Sequence, residues 1–329
     1  MSYVYKFQAY DSVWREGLFY KLTKLGFGGK TLSLIKSMYM NDHVHFLING
    51  SYSDKLFLTR GVKQGKNTNS NTEKFTYQFL GCNLSPLLFS LYISGIGEEL
   101  NSSGLGIDLQ DVNISAILFA DDLVLIGKSR EALNLLMEKT RRFFSRHKLD
   151  ISETKSKILS FDAAIGKVSF EAQDQPPLLF DQVLAFKYLG ILVNCTPYNL
   201  FKSFNDQVKK RARNYLTSVL SLVRSGPNRS DLAYSLWTNC ALPSILYGAE
   251  IIPLTKESIC EIERCNTVVG KFILGIPRSS ANVSVYIDAG LRPIPAVIAE
   301  KVLLYASSIM SKPVSYWPKK AMRGETLFY

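Results

Sequence analysis

The sequence predicts an α+β protein, with a mixed part over residues 1–196 and an all-helical part over residues 197–329. Three observations carry this. Two apolar runs, Ile114 to Phe119 and Leu123 to Ile126, flank an Asp121-Asp122 pair like the strands of a hairpin. Ser129 to Lys148 then reads as an amphipathic helix: Leu133, Leu136, Met137, Thr140 and Phe144 form one stripe, with Lys139, Arg141, Arg142 and Arg146 largely off it. From about Pro197 onward the character becomes helical, beginning with Val208, Ala212, Tyr215, Val219 and Leu222.

In chain order, Tyr3 to Phe7 reads as a short strand, followed by a helix from Val13 that Gly26-Phe27-Gly28-Gly29 ends. Thr31 to Met40 has helical periodicity. Val44 to Ile48 and Lys55 to Leu58 flank Asn49-Gly50-Ser51, a hairpin pattern. Lys66 to Leu80 opens on a polar, low-complexity stretch with the composition of an exposed loop. Ser85-Pro86 starts an apolar helix, with proline in its favoured first turn. Ile158 to Phe161 and Tyr188 to Val193 read as strands, and helices are expected over Leu232–Leu246, Lys256–Leu274 and Ala296–Met310.

With 329 residues, 47% hydrophobic and 20% charged, the chain is long enough for two domains and is neither disordered nor fibrous. Its net charge of +11 favours polyanionic partners without saying anything about fold. Five scattered cysteines make no disulfide framework and suit a reducing compartment. Cys260 and Cys265 lack the companions of a zinc site and read as helix-face residues. Neither a signal-peptide pattern nor a long apolar stretch is visible, so an intracellular protein of nucleus or cytoplasm, away from membranes, is expected.

Asp121 and Asp122 are the sharpest chemical signal. Aspartate is common in ordinary turns. Two carboxylates at the tip of an aliphatic hairpin, however, also offer the hard oxygen donors that suit Mg²⁺. Nucleotidyl transfer uses two such ions about 4 Å apart, one at the attacking hydroxyl and one at the leaving pyrophosphate.

Ordered segments surround that turn. Phe7-Gln8-Ala9-Tyr10-Asp11-Ser12-Val13 lies upstream. Gly61-Val62-Lys63-Gln64-Gly65 and Cys82-Asn83-Leu84-Ser85-Pro86 would join into one motif if residues 66–81 were removed. Downstream come Lys155-Ser156-Lys157, Phe186-Lys187-Tyr188-Leu189-Gly190 and Leu246-Tyr247-Gly248-Ala249-Glu250. Over nearly its whole length the chain thereby resembles the reverse transcriptases of non-LTR (LINE-type) retroelements.

The resemblance implies a right-hand polymerase palm, an antiparallel sheet with helices, in residues 1–196, and a helical thumb after it. It implies RNA-templated DNA synthesis with Mg²⁺, an RNA template, a DNA primer and deoxynucleoside triphosphates. By position, Asp121 and Asp122 match the catalytic metal-binding pair, with Asp121 the better direct ligand. Tyr10 matches the aromatic under the incoming sugar, Gln64 and Gly65 the turn beneath nucleotide and template, and Lys155 a lysine near the triphosphate. Phe186, Lys187, Tyr188, Leu189 and Gly190 match the primer grip. Lys209, Lys210, Arg211 and Arg213 lie in the presumed thumb, where they would contact phosphates independently of sequence.

Three departures stand against turnover. The family's third catalytic carboxylate belongs four residues before Ala9, where this chain has Tyr5, and a phenol ionising near pH ~10 cannot bridge Mg²⁺ at neutrality. Asp11 is expected to be structural. Residues 66–81 are sixteen in number, an in-frame length compatible with a retained intron. The chain also begins just before the first motif, so the fingers are expected to be missing. The alternative to a polymerase is therefore an inactive remnant that at most binds nucleic acid; a group II intron maturase relative would need a splicing-associated domain that the sequence does not display.

Overall fold

The computed structural model describes residues 2–6, 12–40, 43–44, 47–48, 51–62, 84–109, 112–159, 167–172, 175–195, 201–224, 228–313, 316 and 318–320. Tyr10, Asp11, Gln64, Gly65, Cys82 and the segment 66–81 lie outside the described residues. The chain divides into two compact units, 1–184 and 185–329. The boundary expected at 196 thus falls after Leu184, and residues 185–195 join the helical unit. Hairpin contacts with the following helix outweigh sequence proximity to the sheet.

Unit 1 opens with strand β1 (Ser2–Lys6), then α1 (Arg15–Lys24) and α2 (Gly29–Met40). Gly26, at φ +90°, ends α1 as its sequence suggested. Short strands β2 (His43–Val44), β3 (Leu47–Ile48), β4 (Ser51–Tyr52) and β5 (Leu56–Phe57) follow, with β3 paired to β4 and β2 to β5. Beyond them come α3 (Ser85–Tyr92), α4 (Ile96–Asn101) and the paired strands β6 (Ile107–Leu109) and β7 (Val112–Ile114). The segment continues through β8 (Ala116–Phe119), β9 (Asp122–Ile126), α5 (Arg130–Arg146), β10 (Lys157–Leu159), β11 (Lys167–Ala172) and β12 (Gln175–Val183).

Six of these strands form one sheet in the order β11-β12-β10-β1-β9-β8. It is mixed rather than purely antiparallel, because β10 and β12 run parallel, Lys157 opposite Asp181. Helices α4 and α5 pack on the sheet. Leu18, Leu22, Leu88, Phe89, Leu123, Leu125, Leu133 and Leu136 make the core of this unit. Burial of such side chains, about 1.5–3 kcal/mol each, is what holds helices and sheet together.

The α5 stripe is buried as its spacing predicts, and Ser129 caps the helix by accepting from the Ala132 amide. Arg141 departs from expectation. It is buried on the helix, and its Nη2 donates to the Pro176 carbonyl at 2.7 Å. A long side chain can bury its stem when part of its head group reaches a carbonyl at a strand end.

Unit 2 begins with β13 (Ala185–Tyr188) and β14 (Ile191–Asn194), an antiparallel pair. The strand expected over Tyr188 to Val193 is therefore split by a turn at Leu189-Gly190. Helices α6 (Lys202–Leu222) and α7 (Arg229–Leu236) lead into a π-helical turn (Trp237–Ala241), then α8 (Leu242–Ile245), α9 (Lys256–Leu274), α10 (Val283–Ile287) and α11 (Ile294–Met310). The expected helix over Leu232–Leu246 is interrupted just before Pro243. Proline has no amide to donate to the carbonyl four residues back, and the chain accommodates this by widening.

The second core gathers Phe204, Val208, Ala212, Trp237, Ile245, Ile262, Cys265 and Val269. Trp237 Nε1 donates to Asn266 Oδ1 at 2.8 Å, so the largest buried side chain leaves no polar atom orphaned. Cys260 and Cys265 both lie on α9, and burial pushes the Cys265 thiol up to about 11. No helix among the described residues is long and apolar enough to cross a membrane.

Candidate active site

Strands β8 and β9 pair with Phe119 opposite Asp122 and Leu118 opposite Leu123. That register leaves a two-residue turn, Ala120-Asp121. Ala120 sits at φ +50°, in the left-handed region that costs an L-residue about 1–2 kcal/mol. Asp121 is half-buried at the turn, and Asp122, the first residue of β9, is only 6% exposed. Leu123 and Leu125 are wholly buried and anchor the strand behind the carboxylates.

β9 is flanked on both sides, by β8 and by β1. The β1 register sets Lys6 opposite Asp122 and Tyr5 opposite Leu123. The strand that holds Tyr5 is thus hydrogen-bonded directly to the strand carrying the aspartate pair. On its other edge β1 pairs with β10, Val4 opposite Lys157. The end of β1, the start of β9 and the start of β10 therefore share one end of the sheet. Lys155 lies two residues before β10, exposed, at that same end. The fold brings the Asp121-Asp122 pair and Lys155 to one end of the sheet, although Lys155 lies far from the pair in sequence.

One residue of the site's surroundings carried no signal in the sequence. Arg15, only 6% exposed, donates from Nε to the Gly61 carbonyl (2.9 Å) and from Nη1 to the carbonyls of Leu58 (2.6 Å) and Tyr39 (3.1 Å). Its guanidinium also lies over the Tyr39 ring, 5.1 Å from the centroid. The Gly61 amide donates in turn to Val13. Arg15 thereby ties the helix α1 to Gly61-Val62. A helical arginine looks solvated until the tertiary fold supplies three carbonyls around it.

In the helical unit, Leu189 (φ +46°) and Gly190 (φ +85°) make the two-residue turn between β13 and β14. Both residues in the left-handed region define a type I′ turn, whose twist matches that of the strands. Lys187 is exposed, whereas Phe186 and Tyr188 are half-buried. The four basic residues of α6 divide. Lys209 pairs with Asp206 (3.1 Å) and Glu257 (3.0 Å), and Arg213 Nε meets Glu261 at 2.5 Å. Hydrogen bonds that Lys209 donates to Glu257 and then Asp206 raise its pKa, and bonds from Arg264 and then Arg213 lower that of Glu261. Arg211 donates to the Gly190 carbonyl at 3.1 Å. Lys210 is exposed and makes no ion pair among the described residues.

The two carboxylates at the aspartate turn are hard oxygen donors of the kind that suit a divalent cation. No cluster of three or more His, Cys, Asp or Glu occurs among the described residues.

A family profile described as "Reverse transcriptase (RNA-dependent DNA polymerase)" matches residues 6–193, more than half of the chain. The retrovirus-related Pol polyprotein of a type-1 retrotransposable element R2 from Popillia japonica is 24% identical over 320 residues, covering 92% of this chain and 41% of that protein. The corresponding polyprotein of the type-2 retrotransposable element R2DM of Drosophila melanogaster is 28% identical over 138 residues, 42% of this chain and 11% of its own length. An uncharacterized 149 kDa protein of transposon TX1 from Xenopus laevis is 24% identical over 202 residues, covering 60% and 14% respectively. The chain spans about two fifths of the length of the Popillia polyproteins it matches.

Proposed function

The chain belongs to the reverse transcriptase family, of the non-LTR retroelement type, and we propose that Asp121 and Asp122 are the metal-binding half of its polymerase site. The observation that carries this is the shared sheet end. A buried carboxylate, a half-buried one and Lys155 lie at the sheet end where β1, β9 and β10 are hydrogen-bonded side by side.

In this reading unit 1 is the palm and unit 2 carries the primer grip and the thumb. The substrates are an RNA template, a DNA primer and deoxynucleoside triphosphates. Asp121 and Asp122 would hold Mg²⁺, which when bound supplies charge neutralisation at the primer hydroxyl and the triphosphate. Lys155 would offset the charge of the triphosphate, and Tyr10 would stack under the incoming sugar. Gln64 and Gly65 would support the base pair from below, their approach held by Arg15 through Gly61. Phe186 to Gly190 would cradle the primer end. Lys210 and neighbouring cations would contact the backbone of a heteroduplex recognised by shape.

A second reading, an inactive remnant that binds nucleic acid only, rests on the resemblance, by which Tyr5, opposite Leu123 of β9, stands where a third carboxylate is expected. Primer extension on an RNA template with Mg²⁺ separates the two. The chain as it stands should extend weakly, and Tyr5→Asp combined with removal of residues 66–81 should raise extension strongly. Asp121→Asn in that repaired chain should lower it by on the order of a hundredfold or more, as expected for a group that stabilises transition-state charge. Strong extension by the unrepaired chain removes the remnant reading. No extension after repair overturns the polymerase reading.

A further inference from the structure

The Leu189-Gly190 turn is strained and yet doubly held. A type I′ turn favours asparagine or glycine at its first central position, and this chain has a leucine there at φ +46°. Such strain persists only where the surroundings over-determine the backbone. Here both carbonyls of the turn are taken by side chains from the helical unit. Tyr247 Oη donates to Leu189 O at 2.9 Å, and Arg211 Nη2 donates to Gly190 O at 3.1 Å.

The Tyr247-Gly248 pair is shaped for this contact. A Cβ on Gly190 would stand 3.3 Å from Tyr247 Cε1, so the ring lies close over a position whose positive φ already disfavours a side chain. Gly248, at φ +91°, would place a Cβ 3.1 Å from both Ile191 Cδ1 and Phe204 Cε2. Its bare backbone lets the segment after α8 press between β14 and the fully buried Phe204 of α6, which brings the Tyr247 hydroxyl within reach of the turn. At the far end of β14, Asn194 Nδ2 donates to Ser203 Oγ at 2.6 Å.

We propose that Tyr247 and Arg211 are positioning residues that clamp the β13–β14 turn to the helical unit, so that a primer end meeting this hairpin is held by that unit. The proposal rests on the polymerase reading for the ligand, a recessed DNA 3′ end. It also reassigns Arg211 from phosphate contact to turn support.

Two measurements on the full chain test it. One is the affinity for an RNA–DNA heteroduplex with a recessed DNA 3′ end against a blunt duplex of equal length, by fluorescence anisotropy across a salt series. The other is amide hydrogen exchange over residues 185–194. Tyr247→Phe keeps the ring and removes only the hydroxyl. With Arg211→Gln, it should quicken exchange at the turn and weaken recessed-end binding about threefold to tenfold, the scale of one lost hydrogen bond. Blunt-duplex affinity, melting temperature and salt slope should stay as they are.

Unchanged exchange, or quickened exchange with unchanged recessed-end affinity, overturns the clamp. Equal loss on both duplexes with a lower melting temperature makes the role merely structural and also overturns it. A salt slope reduced by about one in Arg211→Gln would make Arg211 a direct phosphate contact. If the unaltered chain fails to prefer the recessed end, the primer-grip reading itself falls; in every other case only the clamp does.

Discussion

The two hairpins that carry the candidate site residues are built on the same local device and held by different means. Each closes on a two-residue turn with a non-glycine residue in the left-handed region, Ala120 at φ +50° and Leu189 at φ +46°. The β8–β9 hairpin is the end pair of a six-stranded sheet, with β8 at its edge, β1 pairing along β9 and Leu123 buried behind it. The β13–β14 hairpin is a separate two-stranded sheet, supported at its turn by Tyr247 and Arg211. Main-chain ladders and apolar burial hold one; side-chain hydrogen bonds and an ion-paired helix hold the other. The first should resist salt and pH and be sensitive to core volume, and the second should show the reverse.

The largest expected effect is in the core beneath the aspartates. Leu123→Ala should cost unit 1 about 3 kcal/mol by denaturant unfolding, the usual scale for a buried leucine replaced by alanine. A cost below about 1 kcal/mol would mean that burial does not hold this turn, and the contrast with the second hairpin would collapse.

Relief of turn strain comes next and tests what the hairpins share. Ala120→Gly and Leu189→Asn should each stabilise by roughly 0.5–1 kcal/mol, because both replacements tolerate positive φ. Equal gains in melting temperature would confirm a common strain. A gain at one turn alone would show that its neighbours shape the other.

The smallest effect concerns pH in the helical unit. Arg264 and Arg213 hold the Glu261 carboxyl below its ordinary range, so its pairing with α6 contributes stability above the unfolded glutamate value. That contribution is lost as pH falls through the lowered folded value. With Arg213 largely exposed, it should stay below about 1 kcal/mol. The acid limb of a melting-temperature profile should flatten in Glu261→Gln, and high salt should mimic the change. A wild-type profile flat in that range would leave α6 held by apolar contacts alone.

Much of this architecture was legible in local pattern. The α5 stripe, the aliphatic strands around Asp121-Asp122 and the Lys256–Leu274 helix all follow from periodicity, because burial imposes a period on any element with one apolar face. The split of Tyr188 to Val193 escaped it. A leucine at a type I′ turn is locally unfavourable, and only Tyr247 and Arg211, distant in sequence, make it tolerable. The β11–β12 pair and the parallel β10–β12 contact escaped too, since period-2 patterning does not encode which strand a strand will meet.

The sequence by itself determined descent and put forward the aspartate pair and Tyr5 as the residues to test, because those depend only on which side chains stand in which order. Tertiary structure alone decided which cations remain available and which serve the fold. Arg15 and Arg141 are buried against carbonyls, Lys209 and Arg213 are paired to the neighbouring helix, and Arg211 supports a turn, while Lys155 and Lys210 face solvent. A charge is free or committed according to the acceptors folding brings near it, and those acceptors come from distant segments that a linear reading does not bring together.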